Sequence, residues 1–308
     1  MKDVYTLADL QQGNLNQDEN RPIRLAVIGN PIAHSKSPAM QQAALDKEGI
    51  SAQYIRIQAT EDEFDTLIKT LVDLKFIGVN VTVPYKQNAR KLCAQVDDLG
   101  KATGAVNTLV FHETGEIHGF NTDGPGFVKA IREEFSMDIK DLKIAIIGAT
   151  GGAGLAVSYA CAMNSCESLT LIGRSENNLE QLSSNLSNYF IDENRLSGAS
   201  DRLKYAILDT IPAQEAIHQA DLIINATSLG LKPTDPSPIS PALFEAYHLV
   251  YDLQTHADTY QREAAMRGAR VANGLSMLVY QGALAFEKWF GIQPNVSVMK
   301  QALLKKSV

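Results

Sequence analysis

Two polar side chains, a proline and a lysine follow one another within residues 78–86, which read Gly-Val-Asn-Val-Thr-Val-Pro-Tyr-Lys. The β-branched residues around Asn80 and Thr82 predict a strand, and side chains two positions apart on a strand share one face. The proline ends this strand and leads a turn that presents Lys86. An amide, a hydroxyl and an ammonium at one sheet edge make a polar site in which a proton could be donated.

Two downstream motifs and a pair of serines add groups of the same kind. Residues 104–108 read Gly-Ala-Val-Asn-Thr and residues 121–124 read Asn-Thr-Asp-Gly, which adds further amides and the carboxylate of Asp123. Ser35 and Ser37 precede a predicted helix, and in extended chain both hydroxyls point the same way. Hydroxyls at a helix N-terminus suit a carboxylate, whereas the alternative is that Ser37 only caps the helix.

A glycine-rich loop predicts a dinucleotide site. Residues 148–154 read Gly-Ala-Thr-Gly-Gly-Ala-Gly, between an apolar strand and a helix of small residues. Glycines let backbone N–H groups approach a pyrophosphate, and the helix N-terminus adds positive potential. A tight turn that serves packing alone is the alternative. The loop residues predicted to bind the cofactor are Gly148, Thr150, Gly151, Gly152, Ala153 and Gly154.

The end of the next predicted strand bears on the choice between NADP and NAD. NAD enzymes place an acidic residue there, whereas NADP enzymes place an arginine for the 2′-phosphate. This chain has Arg174 and Ser175 followed by Glu176, and an arginine can pair with a phosphate in bidentate fashion. Because the carboxylate follows the arginine instead of replacing it, NADP is favoured, with NAD as the alternative.

In their order along the chain, these motifs resemble those of the shikimate and quinate dehydrogenase family. The resemblance covers residues 24–290 and includes Ser-Lys-Ser-Pro at 35–38, Asn-Ala-Thr-Ser at 225–228 and the segment 274–282. It implies an NADP-dependent oxidoreductase that reversibly reduces 3-dehydroshikimate to shikimate in aromatic amino-acid biosynthesis. An NAD-dependent quinate/shikimate dehydrogenase and a non-catalytic polyol or nucleotide sensor are the alternatives.

The resemblance also implies roles for single residues. Lys86 and Asp123 are the predicted catalytic pair, since an ammonium can protonate the alkoxide that forms when a ketone accepts hydride. Asp123 is predicted to orient Lys86 and to bind the reacting hydroxyl, whereas the plain alternative for Lys86 is a solvated surface lysine. Gln281 lies on an apolar helical stripe, where it binds either substrate or other protein groups. The predicted substrate-binding residues are Ser35, Ser37, Thr82, Lys86, Asn107, Asp123 and Gln281, and Thr227, Leu253 and Gly274 join the predicted cofactor-binding residues.

Three positions depart from the family pattern. Thr150 is an additional residue in the glycine loop, and Gly173 stands where the family has an asparagine before Arg174. Thr255 falls where the family has a tyrosine that contacts substrate. Shikimate is therefore the expected substrate, with quinate or a related cyclic hydroxy acid as the alternative.

The elements that must position these groups alternate between strand and helix, which predicts an α/β fold in two domains. Residues 21–123, joined by C-terminal helices within 276–308, are predicted to form an N-terminal α/β substrate-binding and catalytic domain. Residues 124–275 are predicted to form a Rossmann-type, doubly wound dinucleotide-binding domain. Residues 1–20, rich in Asn, Gln and Asp, are predicted to be a flexible extension.

The predicted elements follow from apolar periodicity and from the positions of Gly and Pro. Strands are predicted at 23–29, 54–58, 78–83, 143–148, 168–172, 205–208, 222–225, 249–252 and 270–272, with an antiparallel pair at 107–111 and 116–120. Helices are predicted at 38–48, 61–74, 86–96, 124–135, 153–163, 276–290 and 296–304, with a further helix marked by Leu179, Leu182 and Leu186. Residues 187–201 are predicted to form a long loop or an extension of that helix.

Composition excludes several classes of function. A chain of 308 residues with 45% hydrophobic content can bury two cores, and its net charge of −7 argues against a nucleic-acid partner. No apolar run is long enough to span a membrane, and residues 1–20 lack a signal sequence. The 3 cysteines show no metal or disulfide spacing, which fits a reducing cytoplasm. We therefore expect a cytoplasmic monomer or homodimer that binds a small-molecule substrate and no metal.

Overall fold

The computed structural model describes residues 2–13, 15, 18, 20–191, 199–230, 234–256 and 259–304. The chain divides into two units, the first comprising Met1–Thr122 with Val279–Val308 and the second Asp123–Leu278. Strands and helices alternate in both, and the predicted α/β class is confirmed.

The strands are β1 (Ile23–Gly29), β2 (Gln53–Gln58), β3 (Gly78–Val81), β4 (Gln95–Val96), β5 (Thr108–Phe111), β6 (Ile117–Phe120), β7 (Lys143–Ile147), β8 (Ser168–Gly173), β9 (Leu203–Ile207), β10 (Leu222–Asn225), β11 (Leu249–Asp252) and β12 (Arg270–Asn273). The α-helices are α1 (Leu7–Gln11), α2 (Ser37–Lys47), α3 (Phe64–Asp73), α4 (Lys86–Lys91), α5 (Asp98–Thr103), α6 (Asp123–Phe135), α7 (Gly152–Met163), α8 (Glu176–Leu186), α9 (Ala199–Arg202), α10 (Ile211–Gln219), α11 (Thr259–Met266), α12 (Leu275–Phe290) and α13 (Val296–Leu304).

The sheet of the first unit has the strand order β2-β1-β3-β5-β6-β4. Strand β1 is parallel to β2 and β3, whereas β5 is antiparallel to β3 and β6. One face of this sheet packs on α3, which has a buried face of apolar residues that recur at spacings of three and four. The apolar residues of that helix face are Phe64, Leu67, Ile68 and Leu71.

The N-terminal segment differs from the predicted flexible extension of residues 1–20. A capping box at Thr6 opens α1, and the side chains of Leu7 and Leu10 are buried in the same core as α3. Tyr5 is 1% exposed and forms a β-bridge to the edge strand β2. The prediction failed over this stretch because two leucines three positions apart are enough to bury one face of a short helix.

Residues 86–96 do not form the single helix that was predicted. Helix α4 ends at Lys91, and β4 and α5 follow it. Asp97 is the N-cap of α5, and its carboxylate accepts a hydrogen bond from the Gly100 N–H at 2.9 Å. Pairing of Gln95 with His118 on β6 accounts for the extended chain between the two helices, and this pairing is not visible in local sequence.

The sheet of the second unit has the strand order β12-β11-β10-β7-β8-β9, and its registered pairs are parallel. The chain proceeds outward from β7 to β9 and then returns to the other side of β7 at β10. This is the order of doubly wound dinucleotide-binding sheets, whose ligands bind at the carboxyl edge where the winding reverses. The predicted Rossmann-type fold is confirmed.

Helix α8 lies where three leucines predicted it, and Leu179, Leu182 and Leu186 are all buried. The segment predicted after it, as a loop or a helix extension, begins as a 3₁₀ turn at Ser187–Phe190, and residues 192–198 lie outside the described part of the chain.

Candidate active site

Two glycines of the loop after β7 are required by close packing. Gly148 has a φ of +81°, and a Cβ there would lie 3.0 Å from the carbonyl carbon of Ala226. A Cβ on Gly154 would lie 2.2 Å from the carbonyl oxygen of Gly148. No side chain fits at either position, so both glycines hold the loop tightly against its neighbours.

The opposite side of this loop is open. The N-cap of α7 is Gly151, which has no side chain to cap the helix. A Cβ on Gly152 would meet nothing within 4 Å. The first N–H groups of a helix have no partner within that helix, and they carry the positive end of its dipole. Exposed backbone donors on a bare glycine surface fit a pyrophosphate, so the residues present fit a dinucleotide.

Parallel register brings the other predicted cofactor residues to the same edge of the sheet. Ile147 lies opposite both Ile172 and Asn225, and Asp252 lies opposite Asn225 and Asn273. The segments after these strands therefore leave the sheet side by side. Those segments contain the predicted residues Arg174, Ser175, Thr227, Leu253 and Gly274.

Arg174 and Ser175 directly follow β8 and are both exposed. Ser175 is the N-cap of α8, although its side chain makes no cap hydrogen bond. A cavity of about 220 Å³ lies beside α8, and Thr150 of the glycine loop lines it together with Asn178. Thr150 therefore contributes polar surface next to the helix that Arg174 precedes.

A buried hydrogen-bond network, which the sequence did not predict, holds the loop after β10. The Asn225 side-chain amide donates to Asp252 at 3.0 Å, and the Thr227 hydroxyl donates to the Asn225 side-chain oxygen at 2.7 Å. The Gln261 amide donates to Asp252 at 2.9 Å, and the Gln254 amide donates to the Thr227 carbonyl at 2.9 Å. The sequence signal that could have predicted a role for Asp252 is its position as an acidic residue at the end of an apolar strand.

Gly274 is held against the segment that follows β11. A Cβ on Gly274 would lie 2.3 Å from the carbonyl oxygen of Leu253, and the Gly274 N–H donates to the Gln254 carbonyl at 2.8 Å. The structure thus brings Leu253 and Gly274 together.

In the first unit, Ser35 and Ser37 lie at the start of α2. Ser37 does not cap this helix, which rules out the alternative role, because the N-cap is Lys36 and Ser37 is the first helical residue. The Ser35 hydroxyl accepts a hydrogen bond from the Ser37 N–H at 3.3 Å. Both serines therefore lie at the positive end of the helix, as a carboxylate site requires.

Asn107 and Gln281 meet in the first unit. The Asn107 amide donates to the Gln281 side-chain oxygen at 3.3 Å and to the Thr122 hydroxyl at 2.9 Å, and the two residues are 3% and 9% exposed. The Asn107 side-chain oxygen accepts the Thr122 N–H at 2.8 Å. Two predicted substrate residues from distant parts of the chain are thus adjacent, and their side-chain amides form hydrogen bonds with protein groups.

Asn80 and Thr82 differ in surroundings, although both were placed on one polar strand. Asn80 is buried, accepts a hydrogen bond from the Tyr54 hydroxyl at 2.7 Å and donates to the Thr108 hydroxyl at 3.1 Å. Thr82 lies beyond the end of β3 and is partly exposed. Burial raises the pKa of Tyr54, so its phenol stays protonated as the donor to Asn80. Asn80 therefore supports the sheet, and Thr82 is the residue left accessible to a ligand.

The two predicted catalytic residues both begin helices. Lys86 is the first residue of α4 and is partly buried, and its carbonyl accepts the Val106 N–H at 3.0 Å. Asp123 is the first residue of α6 and is 8% exposed.

Other chemistry is limited in the part of the chain that the structure describes. No group of three or more His, Cys, Asp or Glu side chains suited to a metal ion occurs among these residues. Burial raises the pKa of the Cys93 and Cys166 thiols to about 12, which makes them poor nucleophiles. None of the described helices is both long and apolar enough to cross a bilayer.

The doubly wound sheet and its glycine cradle define a dinucleotide-binding protein. Comparison with known proteins then gives the family. The family model of the shikimate dehydrogenase substrate binding domain matches residues 27–109, and that of the shikimate 5′-dehydrogenase C-terminal domain matches residues 274–304. A shikimate dehydrogenase (NADP(+)) from Methanopyrus kandleri is 35% identical over 91% of this chain and 94% of its own length.

Solved structures show the same likeness. The shikimate 5-dehydrogenase of Thermus thermophilus, in complex with NADP(H) and shikimate, has a TM-score of 0.79 and 32% identity, and the match covers 91% of this chain and 98% of that one. A quinate dehydrogenase from Corynebacterium glutamicum in complex with NAD has a TM-score of 0.81 and 28% identity, over 92% of this chain and 99% of that one. The chain belongs to the shikimate dehydrogenase family of oxidoreductases, and the predicted family is confirmed.

Proposed function

We propose that this protein is an NADP-dependent shikimate dehydrogenase that reversibly reduces 3-dehydroshikimate to shikimate in aromatic amino-acid biosynthesis. The observation that carries the proposal is the glycine cradle at the carboxyl edge of a doubly wound sheet, in a chain 35% identical to an NADP(+) shikimate dehydrogenase.

The second unit would hold the cofactor. Within the loop 148–154, the backbone N–H groups at the start of α7 would bind the pyrophosphate, and Arg174 with Ser175 would bind the 2′-phosphate. Thr227, Leu253 and Gly274 hold the nicotinamide end. When bound, NADPH supplies the hydride.

The first unit would hold the substrate. Ser35 and Ser37 bind its carboxylate at the positive end of α2. Thr82, Asn107 and Gln281 bind the ring hydroxyls, and the amide pair between Asn107 and Gln281 fixes the direction in which each presents its donors.

Lys86 would act as the general acid. Its ammonium donates a proton to the ketone oxygen as negative charge develops there, and in the oxidation direction the same amine accepts the proton. Asp123 would be the second catalytic residue, whose carboxylate binds the reacting hydroxyl.

The second candidate function is an NAD-dependent quinate/shikimate dehydrogenase. The likeness to the quinate dehydrogenase of Corynebacterium glutamicum, with a TM-score of 0.81, favours it. Glu176, two positions after Arg174, and Thr255 in place of the family tyrosine are the local features that would support NAD and a different ring. A non-catalytic sensor is the third candidate, and turnover of any substrate would exclude it.

Initial rates of shikimate and quinate oxidation, each with NADP⁺ and with NAD⁺, test the proposal through the absorbance of the reduced nicotinamide. We expect shikimate with NADP⁺ to give the highest kcat/KM. A preference for quinate or NAD⁺ would favour the second candidate, and no turnover in any combination would favour the sensor.

The setting of the enzyme is part of the proposal. An odd number of cysteines without metal or disulfide spacing supports action in a reducing cytoplasm. A small-molecule substrate needs no macromolecular partner, and the acidic net charge of −7 opposes nucleic-acid binding. Monomer and homodimer are both compatible with this function, and light scattering of the purified protein distinguishes them.

A further inference from the structure

Arg56 lies at one end of a row of residues across the sheet of the first unit. Val27 on β1 is in register with Arg56 on β2 and with Asn80 on β3, and Asn80 is in register with Thr108 on β5. Registered partners on neighbouring strands point to the same face of a sheet. Arg56 therefore shares the face that carries the polar groups Asn80 and Thr108, opposite the face packed on α3.

The guanidinium of Arg56 holds the turn that carries the two serines. Its Nε and Nη2 donate to the carbonyl oxygen of Ser35 at 3.0 and 2.7 Å. The hydroxyl of the same Ser35 accepts the N–H of Ser37 at 3.3 Å. One planar donor group thus fixes the backbone from which both hydroxyls of the proposed carboxylate site project.

The charge of Arg56 is not neutralised by a neighbour in the part of the chain that the structure describes. None of the carboxylates in that part forms an ion pair with Arg56, although its side chain is partly buried. A cation withdrawn in part from water is stabilised by an anion nearby. A substrate carboxylate at Ser35 and Ser37 would supply that negative charge.

The backbone of Arg56 is itself held by the N-terminal segment. The Tyr5 N–H donates to the Arg56 carbonyl at 2.9 Å, and the Gln58 N–H donates to the Tyr5 carbonyl at 2.9 Å. Strand β2 is an edge strand of the sheet. The hydrogen bonds of Tyr5 pair with its open edge at Arg56, the residue that contacts Ser35. The position of Arg56 along the strand is therefore fixed on both of its sides.

We propose that Arg56 is the positioning residue of the carboxylate site, which fixes Ser35 by two hydrogen bonds and supplies positive charge for the carboxylate of a cyclic hydroxy acid. This role rests on the proposed function. It adds a fixed arginine to a site otherwise composed of two neutral hydroxyls and a helix N-terminus.

Two variants separate charge from geometry. Arg56→Gln removes the charge, whereas Arg56→Lys keeps the charge and removes the paired donors. Arg24→Gln is the matched control, because Arg24 is also a partly buried strand arginine and donates to a backbone carbonyl, that of Leu74, at 3.1 Å. Each protein is assayed with NADP⁺ on shikimate and on its neutral methyl ester, and its melting temperature is recorded.

We expect Arg56→Gln to raise the KM for shikimate by about tenfold or more, since charge-assisted hydrogen bonds are lost, and to leave the KM for NADP⁺ unchanged. We expect a much smaller loss of kcat/KM on the methyl ester, a smaller rise in KM for Arg56→Lys, and no rise for Arg24→Gln. The difference between acid and ester is the readout that a merely structural role would not change.

The possible failures are distinct. Equal losses on shikimate and on its ester, or a loss matched by Arg24→Gln, would overturn the role of Arg56 and leave the proposed function intact. Wild-type protein inactive on shikimate would overturn the proposed function and the role of Arg56 with it. If Arg56→Gln does not fold, a wild-type KM in Arg56→Lys overturns the two-hydrogen-bond role, and a raised KM supports it.

Discussion

Single charged side chains carry the proposed chemistry. Lys86 is the first residue of α4 and is partly buried, and its ammonium is proposed to donate a proton to a bound ketone. Arg174 follows β8 and is exposed, so that a phosphate can reach it. Each acts through its charge, so neutral or reversed variants test the two roles separately.

Removing the ammonium tests the proton-transfer step. We expect Lys86→Ala to lower kcat for shikimate oxidation by about 10²-fold or more, which is typical for loss of a general acid, with a far smaller change in KM. Lys91→Ala is the matched control, because Lys91 is the exposed last residue of the same helix. Steady-state kinetics of both variants check this, and near wild-type turnover in Lys86→Ala would rule out its catalytic role.

Reversing the charge after β8 tests the choice of cofactor. We expect Arg174→Asp to lower kcat/KM for NADPH and to spare that for NADH, because only NADPH carries the 2′-phosphate. Kinetics with both reduced cofactors and 3-dehydroshikimate measure the ratio. An equal loss with NADPH and NADH would mean that Arg174 has a structural role.

At the scale of elements, the turn from β7 into α7 must be tight on one side and open on the other. The two kinds of glycine in it are expected to respond differently to the addition of one methyl group.

Gly154→Ala places a Cβ 2.2 Å from the Gly148 carbonyl oxygen, so the backbone must shift. We expect this variant to be destabilised by about 1–3 kcal/mol without cofactor, as in overpacked sites. Gly152→Ala meets nothing within 4 Å, and we expect its melting temperature without cofactor to be unchanged but its NADPH affinity to fall. Thermal melting with and without NADPH measures both effects. An unaffected melting temperature in Gly154→Ala would contradict the structure of the loop.

His248, the residue before β11, is expected to make the stability of the fold depend on pH. His248 is 0% exposed, and its Nδ1 accepts the Glu245 N–H at 3.0 Å, which requires that nitrogen to be unprotonated. Burial lowers the pKa of His248 below its usual 6.5. A depressed folded-state pKa means that the unfolded chain binds the proton first, so this stability is complete above pH 6.5 and is lost as the pH falls below it.

We expect the free energy of unfolding to decline below that pH, by at most about 1.4 kcal/mol per pH unit from this group. We expect His248→Asn, which keeps an acceptor for the Glu245 N–H, to show a shallower decline. Urea unfolding from neutral to mildly acidic pH measures both proteins, and parallel pH profiles would exclude His248 as the cause.

At the scale of the whole molecule, the two units differ in how the chain builds them. The second unit is the continuous segment Asp123–Leu278, whereas the first needs Met1–Thr122 together with Val279–Val308. Each has its own sheet and buried core. Only the second can therefore be tested as a simple fragment.

We expect residues 123–278 alone to fold and to bind NADPH in preference to NADH, because the glycine cradle and Arg174 lie within them. We expect no shikimate oxidation, since Ser35, Lys86 and Asn107 are absent. Nicotinamide fluorescence titration measures binding, with Gly154→Ala in the same fragment as the control. An unfolded fragment would show that the second core depends on the rest of the chain.

Much of the fold, and the position within it of the residues proposed to bind the cofactor, was predictable because the signals are local. Apolar strands, leucines at helical spacing and a glycine loop between strand and helix depend on residues close together in sequence, and β10, β11 and α13 were predicted with their observed bounds. The position of Arg174 was predictable for the same reason, because the apolar strand that ends directly before it is visible in the neighbouring residues. The family motifs added Lys86 and Asp123 in the same local way.

Only the tertiary structure decided the contacts between distant segments. The ladder between β4 and β6 breaks the predicted helix 86–96, and the bridge between Tyr5 and β2 orders a segment predicted to be flexible. The hydrogen bonds from Asn225 to Asp252 and from Arg56 to Ser35 likewise join residues far apart along the chain. Local sequence determines which conformation and which chemical groups a segment offers, whereas a hydrogen bond between segments depends on strand order and register, which are set by how the whole core packs.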